Sequence, residues 1–142
     1  MLKRFLFPSP PDARASAGLL VMRVVAGAAM ASHGWGKIQN PFHWLDKAAS
    51  PPPAALQFLA AFAEFFGGLA LVLGALTVLA SVGIACTMVE AVRHHVTAGD
   101  PFGRWELALL YLALAALFVA LGPGRFSLDA LLARRLGAER TG

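Results

Sequence analysis

Apolar residues run almost unbroken through four stretches of this 142-residue chain, with short polar segments between them. The stretches cover approximately residues 10–33, 54–73, 78–95 and 105–121. Each is near the ~20 residues that carry a helix across ~30 Å of hydrocarbon. Start and stop signals frame them. Ser9 is a candidate N-cap for the first, followed by prolines in the first turn and by Asp12 at the positive end of the dipole. Pro51-Pro52-Pro53 precedes the second, Gly74 is placed to cap its C-terminus, and Thr77 can cap the third. The link between the second and third is so short that they must be antiparallel neighbours. Beyond Gly122-Pro123-Gly124, Leu128, Leu131, Leu132 and Leu136 recur on one face, with Asp129, Arg134 and Arg135 elsewhere. That pattern predicts a short amphipathic helix over 127–136, lying on the membrane surface. The expected fold is all-α: an integral membrane four-helix bundle with a C-terminal surface helix, forming one domain over 1–142.

Composition agrees with a membrane protein. The chain is 58% hydrophobic and 14% charged, with a mean hydropathy of +0.65. Soluble domains are about 45–50% apolar and about 25% charged. A net charge of +4 raises the question of nucleic acid. The basic residues flank the apolar stretches without forming a patch among exposed aromatics, so lipid headgroups, and not nucleic acid, are the expected partner. Seven of these charges, Lys3, Arg4, Arg14, Arg125, Arg134, Arg135 and Arg140, fall on one side of the membrane. Four fall on the other: Lys37, Lys47, Arg93 and Arg104. Both termini are therefore expected in the cytoplasm, with Trp35, Trp44 and Trp105 forming an outer aromatic belt. Only Phe5-Leu6-Phe7 precede the cleavage-like Ala15-Ser16-Ala17, too little for a signal peptide, and no cleavage is expected. A multi-pass protein of a bacterial or archaeal plasma membrane fits. The single cysteine, Cys86, excludes a dithiol pair, a four-cysteine cluster and c-type haem attachment, and is expected as a small packed residue.

The charges inside the apolar stretches carry the candidate chemistry. Arg23 and Glu64 interrupt the first and second, and such intramembrane charges are rare and usually paired or functional. Arg23 precedes His33 by ten residues and Glu64 follows Ala54 by ten, about 15 Å from the same surface in each case. An Arg23–Glu64 ion pair is expected, either as a structural lock or as the lining of a headgroup or proton path. Gln57 shares the face of Glu64, and Ala60, Ala61, Gly67 and Gly68 beside them favour close helix packing. In the third stretch Cys86, Glu90 and His94 follow one another at four-residue spacing. A carboxylate and an imidazole one turn apart can relay a proton. His33 and Glu106 are predicted at the same level as Glu90 and His94, so these four are candidates for a polar-ligand pocket. Two ligands on one helix do not make a metal site, and none is assigned. A b-type haem between His33 and His94 is equally weakly supported. The candidate proton-transfer groups are Glu64, Glu90 and His94.

Taken together these segments resemble the DoxX family of small four-span membrane proteins. Arg23 followed by His33-Gly34-Trp35-Gly36-Lys37 is similar to the family's arginine-containing helix and HGxxK motif. Glu64-Phe65-Phe66-Gly67-Gly68 with Leu73-Gly74 resembles its glutamate–glycine-pair helix. Residues Gly122 to Asp129 resemble its C-terminal GxGRxSLD signature. The resemblance implies association with membrane oxidoreductase systems, including a quinone-reducing thiosulfate enzyme of sulfur-oxidising archaea and assemblies protecting against oxidative stress. It marks Arg23, His33, Lys37, Glu64, Ser127 and Asp129 as family positions without assigning their roles. No flavin or nicotinamide fingerprint is present, so redox chemistry would require a quinone, a haem or a partner subunit.

Three functions remain open at this point. The first is a membrane subunit supporting quinone-linked electron transfer, with Arg23, His33, Lys37, Gln57, Glu64, Glu90 and Glu106 as candidate ligand-binding residues. The second is a non-catalytic structural or assembly subunit of a larger membrane complex. The third is a small proton-coupled transporter, which needs a membrane carboxylate without a cation. Further copies of the chain or other membrane redox subunits are the expected protein partners.

Overall fold

The computed structural model describes residues 11–48 and 51–138, which contain five α-helices, one 3-10 turn and no strand. The helices are α1 (Ala13–Ile38), α2 (Ala54–Leu73), α3 (Thr77–Thr97), α4 (Glu106–Leu121) and α5 (Leu128–Ala138), with the 3-10 turn at Phe102–Arg104. Of these, α1 and α2 have both the length and the apolar composition to cross a membrane. The C-terminal end of α3 carries Glu90, Arg93, His94 and His95, and α4 has 16 residues.

Local capping explains most boundaries. Asp12 caps α1, its carboxylate accepting from the Ala15 N–H at 2.8 Å. Asp12 thus takes the part expected of Ser9, which lies outside the described residues. The helix then continues five residues past His33, through Gly34 and Gly36 to Ile38. Those glycines do not stop it, because Gly34 lies flush against the backbone of Glu64 and Phe65 on α2. Gly74 ends α2 in the left-handed region at φ 67°, and the Ala75 N–H returns to the Ala70 carbonyl at 2.9 Å, as in a Schellman ending. Only Ala75 and Leu76 then remain before α3, and Leu76 is also left-handed at φ 48°. Thr77 does not cap α3. That part is taken by Asp129, whose two oxygens accept from Leu76 N–H at 2.8 Å and Thr77 N–H at 2.9 Å.

Successive helices pack pairwise, α1 on α2, α2 on α3 and α3 on α4. Leu19, Met30, Leu71, Ile84, Met88, Ala115 and Phe118 from all four form the apolar centre. Every helix also exposes large apolar side chains, among them Val25, Leu59, Leu79 and Leu110. An outward face of that kind suits hydrocarbon and not water.

The α1–α2 contact is backbone on backbone. A Cβ added at Gly27 would lie 2.6 Å from the Gly68 carbonyl oxygen, and one at Gly68 would lie 2.5 Å from the Ala31 nitrogen. Ala61, fully buried, continues this seam. The seam sets the register of the two helices, and with it the neighbours of every charge they carry. Gly67, next in sequence, faces the flexible end of Ile84 at 3.4 Å instead.

The two adjacent glycines therefore respond differently to one added methyl. Gly68→Ala forces backbone apart and should destabilise the protein by about 1–3 kcal/mol. Gly67→Ala should leave stability unchanged or raised, since alanine is the better helix former by about 1 kcal/mol. Thermal unfolding of both variants in detergent, followed by circular dichroism, checks the contrast.

Candidate functional site

Arg23 and Glu64 are both buried, and they lie at opposite ends of the α1–α2 seam. The expected ion pair between them does not form. Gly34 packs on Glu64, and Arg23 is eleven residues earlier on the same helix, about 17 Å along the axis. Counting from His33 misplaced the level, because α1 runs on to Ile38 and the glycine seam fixes a different register.

At one end Arg23 holds helix termini together. Its guanidinium donates to the Leu71 carbonyl at 3.1 Å and to the Phe126 carbonyl at 2.6 Å. The C-terminus of α2 is the negative pole of its dipole, a favourable place for a cation. The guanidinium lies directly against the left-handed Gly74, where any side chain would collide with it. Asp129 completes the clasp by capping α3, while its own N–H donates to the Gly74 carbonyl at 2.9 Å. Arg125 joins from the same loop: its N–H donates to Ser16 Oγ at 3.1 Å and its Nε to the Pro11 carbonyl at 2.7 Å. Ser127 caps α5 by accepting from Ala130 N–H. The Gly122–Asp129 segment is thus a structural fastening of four chain segments.

At the other end Glu64 meets Lys37, with Oε1 2.6 Å from Nζ. The Glu64 side chain is 3% exposed and that of Lys37 27%. The ammonium also lies 4.4 Å from the centroid of the Trp44 ring, a cation–π contact that roofs the pair. Glu64 Oε2 is buried and has no hydrogen-bond partner among the described residues. Gln57, two turns before Glu64 on α2, anchors the loop that carries Trp44. Its Oε1 accepts from Leu45 N–H, its Nε2 donates to Asp46 Oδ1 at 2.9 Å and to the Pro52 carbonyl, and its own carbonyl accepts from Trp44 Nε1 at 2.9 Å. His43 Nδ1 lies 2.7 Å from the second oxygen of Asp46. Hydrogen bonds from Gln57, and then from His43, hold the Asp46 carboxyl below its ordinary value.

The remaining candidates stand apart. His33 is exposed, its ring edge-on to Tyr111 at 6.1 Å. Glu90 is exposed and bound to Arg93, one turn on, so it has the cation that the transport reading required it to lack. His94 is exposed beside His95, and Glu106 is exposed at the start of α4. Cys86 is also exposed, not packed as expected. The Cys86, Glu90 and His94 stripe therefore faces away from the bundle. Among the described residues no three of His, Cys, Asp or Glu assemble into a group that could hold a metal ion. The cavity between Ala26, Met30, Leu71, Ile84, Tyr111 and Phe118 is lined almost wholly by apolar groups and has room for about one water. Two contributors were missed from sequence: Trp44, read only as a belt residue, and Asp46. No local pattern links either to Gln57, since each contact depends on the loop folding back over α2.

A helical membrane protein with buried charges at its two ends and an apolar middle is the class that this geometry defines. The chain belongs to the DoxX family, whose model, described as DoxX, matches residues 18–98, more than half of its length. The match includes Arg23, Lys37, Gln57 and Glu64 and ends before the Asp129 segment. Nothing among the curated proteins and nothing among the solved structures matches the chain.

Two outcomes follow from these ends. Asp129→Ala removes both acceptors at the start of α3 and should lower stability by about 1–2 kcal/mol, with Asp129→Asn intermediate; chemical unfolding in detergent measures the difference. For Asp46, a lowered folded-state value means that its contribution is complete above the ordinary value of 3.8 and is lost only as pH falls through the lower one. In a Trp35→Phe, Trp105→Phe background, Trp44 fluorescence should hold constant from neutral pH down to about that ordinary value and change only below it.

Proposed function

We propose that this DoxX-family membrane protein is a four-span subunit that supports quinone-linked oxidoreduction, with the headgroup received at Lys37 and Glu64. The pair itself carries the reading. It places a cationic donor from the C-terminal end of α1 and a carboxylate from midway along α2 2.6 Å apart under an aromatic ring. Lys37 can donate to a ring oxygen, and Glu64 can accept or return a proton as that oxygen changes oxidation state. Trp35, Phe65, Phe66, Phe62, Phe58 and Phe42 form a run of ring contacts, each 4.9–6.0 Å between centroids, along the same part of α2. Such a run suits a flat aromatic headgroup arriving from the lipid. Arg23 has no part in this site.

The arrangement in the membrane belongs to the same proposal. α1 to α4 each cross a bacterial or archaeal plasma membrane, with α3 and α4 completed by the polar segments at their ends. Both termini and the Arg23 clasp are cytoplasmic, and the Trp44 loop faces outward. Electrons pass to or from partner redox subunits, since the chain has no cofactor motif of its own.

One observation favours a second reading, a structural or assembly subunit. The bundle centre is apolar and closed, while large apolar side chains cover the outside of every helix. Faces of that kind serve a partner's helices as readily as lipid. No observation favours proton-coupled transport, because Glu64 and Glu90 each have a cation in contact.

Titration of a short-chain benzoquinone into the purified protein in neutral lipid nanodiscs should give saturable binding. Lys37→Met and Lys37→Gln should each weaken it at least tenfold, while Glu90→Gln should leave it unchanged. Saturable binding that is unaffected by both site variants ends the quinone reading and leaves the structural one.

A further inference from the structure

We infer that the Lys37–Glu64 site takes the reduced, hydroxyl-bearing form of the headgroup in preference to the oxidised form, an inference that rests on the quinone reading above. The two Glu64 oxygens are not equivalent. Oε1 accepts from Lys37 at 2.6 Å, whereas Oε2 is buried and has no donor among the described residues. A buried acceptor left without a donor is costly, and a carboxylate oxygen can only accept. Whatever enters must therefore bring a donor to Oε2.

The oxidised and reduced headgroups differ in this respect and in little else. Both carbonyl oxygens of a quinone are acceptors, so a quinone can take a hydrogen bond from Lys37 but turns lone pairs toward Oε2. A quinol carries an O–H at each position. One hydroxyl can donate to Oε2 while accepting from Lys37, whose ammonium has three donors and directs one to Oε1. The same hydroxyl thus answers both members of the pair. Entry is from the Lys37 side, which is 27% exposed against 3% for Glu64. Trp44 covers the ammonium there, and its loop is held to α2 by the Gln57 hydrogen bonds and by Phe42 stacked on Phe58, so entry displaces this roof. Preference for the reduced form also raises the midpoint potential of the bound couple, by about 30 mV for each tenfold in affinity.

The experiment compares three ligands with the full-length protein in neutral phosphatidylcholine nanodiscs: a decyl-substituted benzoquinol, its quinone, and the dimethyl ether of the quinol. The ether keeps the ring and the tail but has no hydroxyl. The wild type should bind the quinol at least tenfold more tightly than either of the others. In Glu64→Gln, whose amide can donate as well as accept, the quinol-to-quinone ratio should fall to within twofold, with circular dichroism showing retained helix content. Should that variant fail to fold, the three wild-type affinities decide the matter alone. Equal or tighter binding of the quinone, or an ether that binds as well as the quinol, overturns the preference and leaves the quinone site standing. Binding of none of the three removes the site and the preference together.

Discussion

The guanidinium of Arg23, buried against the Leu71 and Phe126 carbonyls, is the contact on which its end of the bundle depends. A charge in the interior of an apolar helix is tolerated only when its donors find acceptors. Here the acceptors are backbone carbonyls at chain turns: that of Leu71, in the last turn of α2, which also accepts from the Gly74 N–H at 3.1 Å, and that of Phe126 in the loop after α4. One side chain of α1 therefore satisfies the end of α2 and holds the loop that follows α4. Asp129, brought in by that loop, then caps α3 across a two-residue turn too tight to cap itself. Residues more than a hundred positions apart are joined by polar contacts that no neighbouring sequence supplies.

The opposite end is built differently. Lys37 and Glu64 form one ion pair, roofed by Trp44 and partly open on the lysine side. The clasp directs both terminal nitrogens of Arg23 to backbone carbonyls, leaves its Nε unpartnered and is shut off from the surface; the pair leaves a carboxylate oxygen unengaged beside a lysine that is partly exposed. That difference separates a fastening from a site. The glycine seam produces both, because Gly27, Gly34 and Gly68 bring two backbones together in a single register. Within that register Glu64 faces the lysine end of α1, and Arg23 faces the end of α2.

Much of this was legible in the chain, and the failures have identifiable causes. The bounds of α2 and its glycine ending agree with the sequence reading, as does a surface-type helix from about residue 128. The end of α1 falls five residues beyond the expected one, because packing against α2 sustains the helix through the polar, aromatic stretch after His33 to Ile38. That error set the wrong level for Arg23 and produced an ion pair that does not exist. Helical spacing correctly put Cys86, Glu90 and His94 on one face. It carries no information about which face turns inward, and this one turns out. Lys37 was marked as a flanking basic residue and by family resemblance, and Glu64 as an intramembrane charge and by resemblance, but neither reading paired the two.

Local physics determined what the sequence could settle unaided. Helix content, apolar length and the glycine turn at residue 74 depend on groups within about four residues of one another, so the order of residues contains them. Register, the inward face of α3 and the partners of Arg23, Lys37, Glu64 and Asp129 depend on which surfaces come into contact across distant segments. A one-turn shift of one helix past another preserves every local preference and changes every charge's neighbour. The tertiary structure decided those pairings through close backbone contact at three glycines.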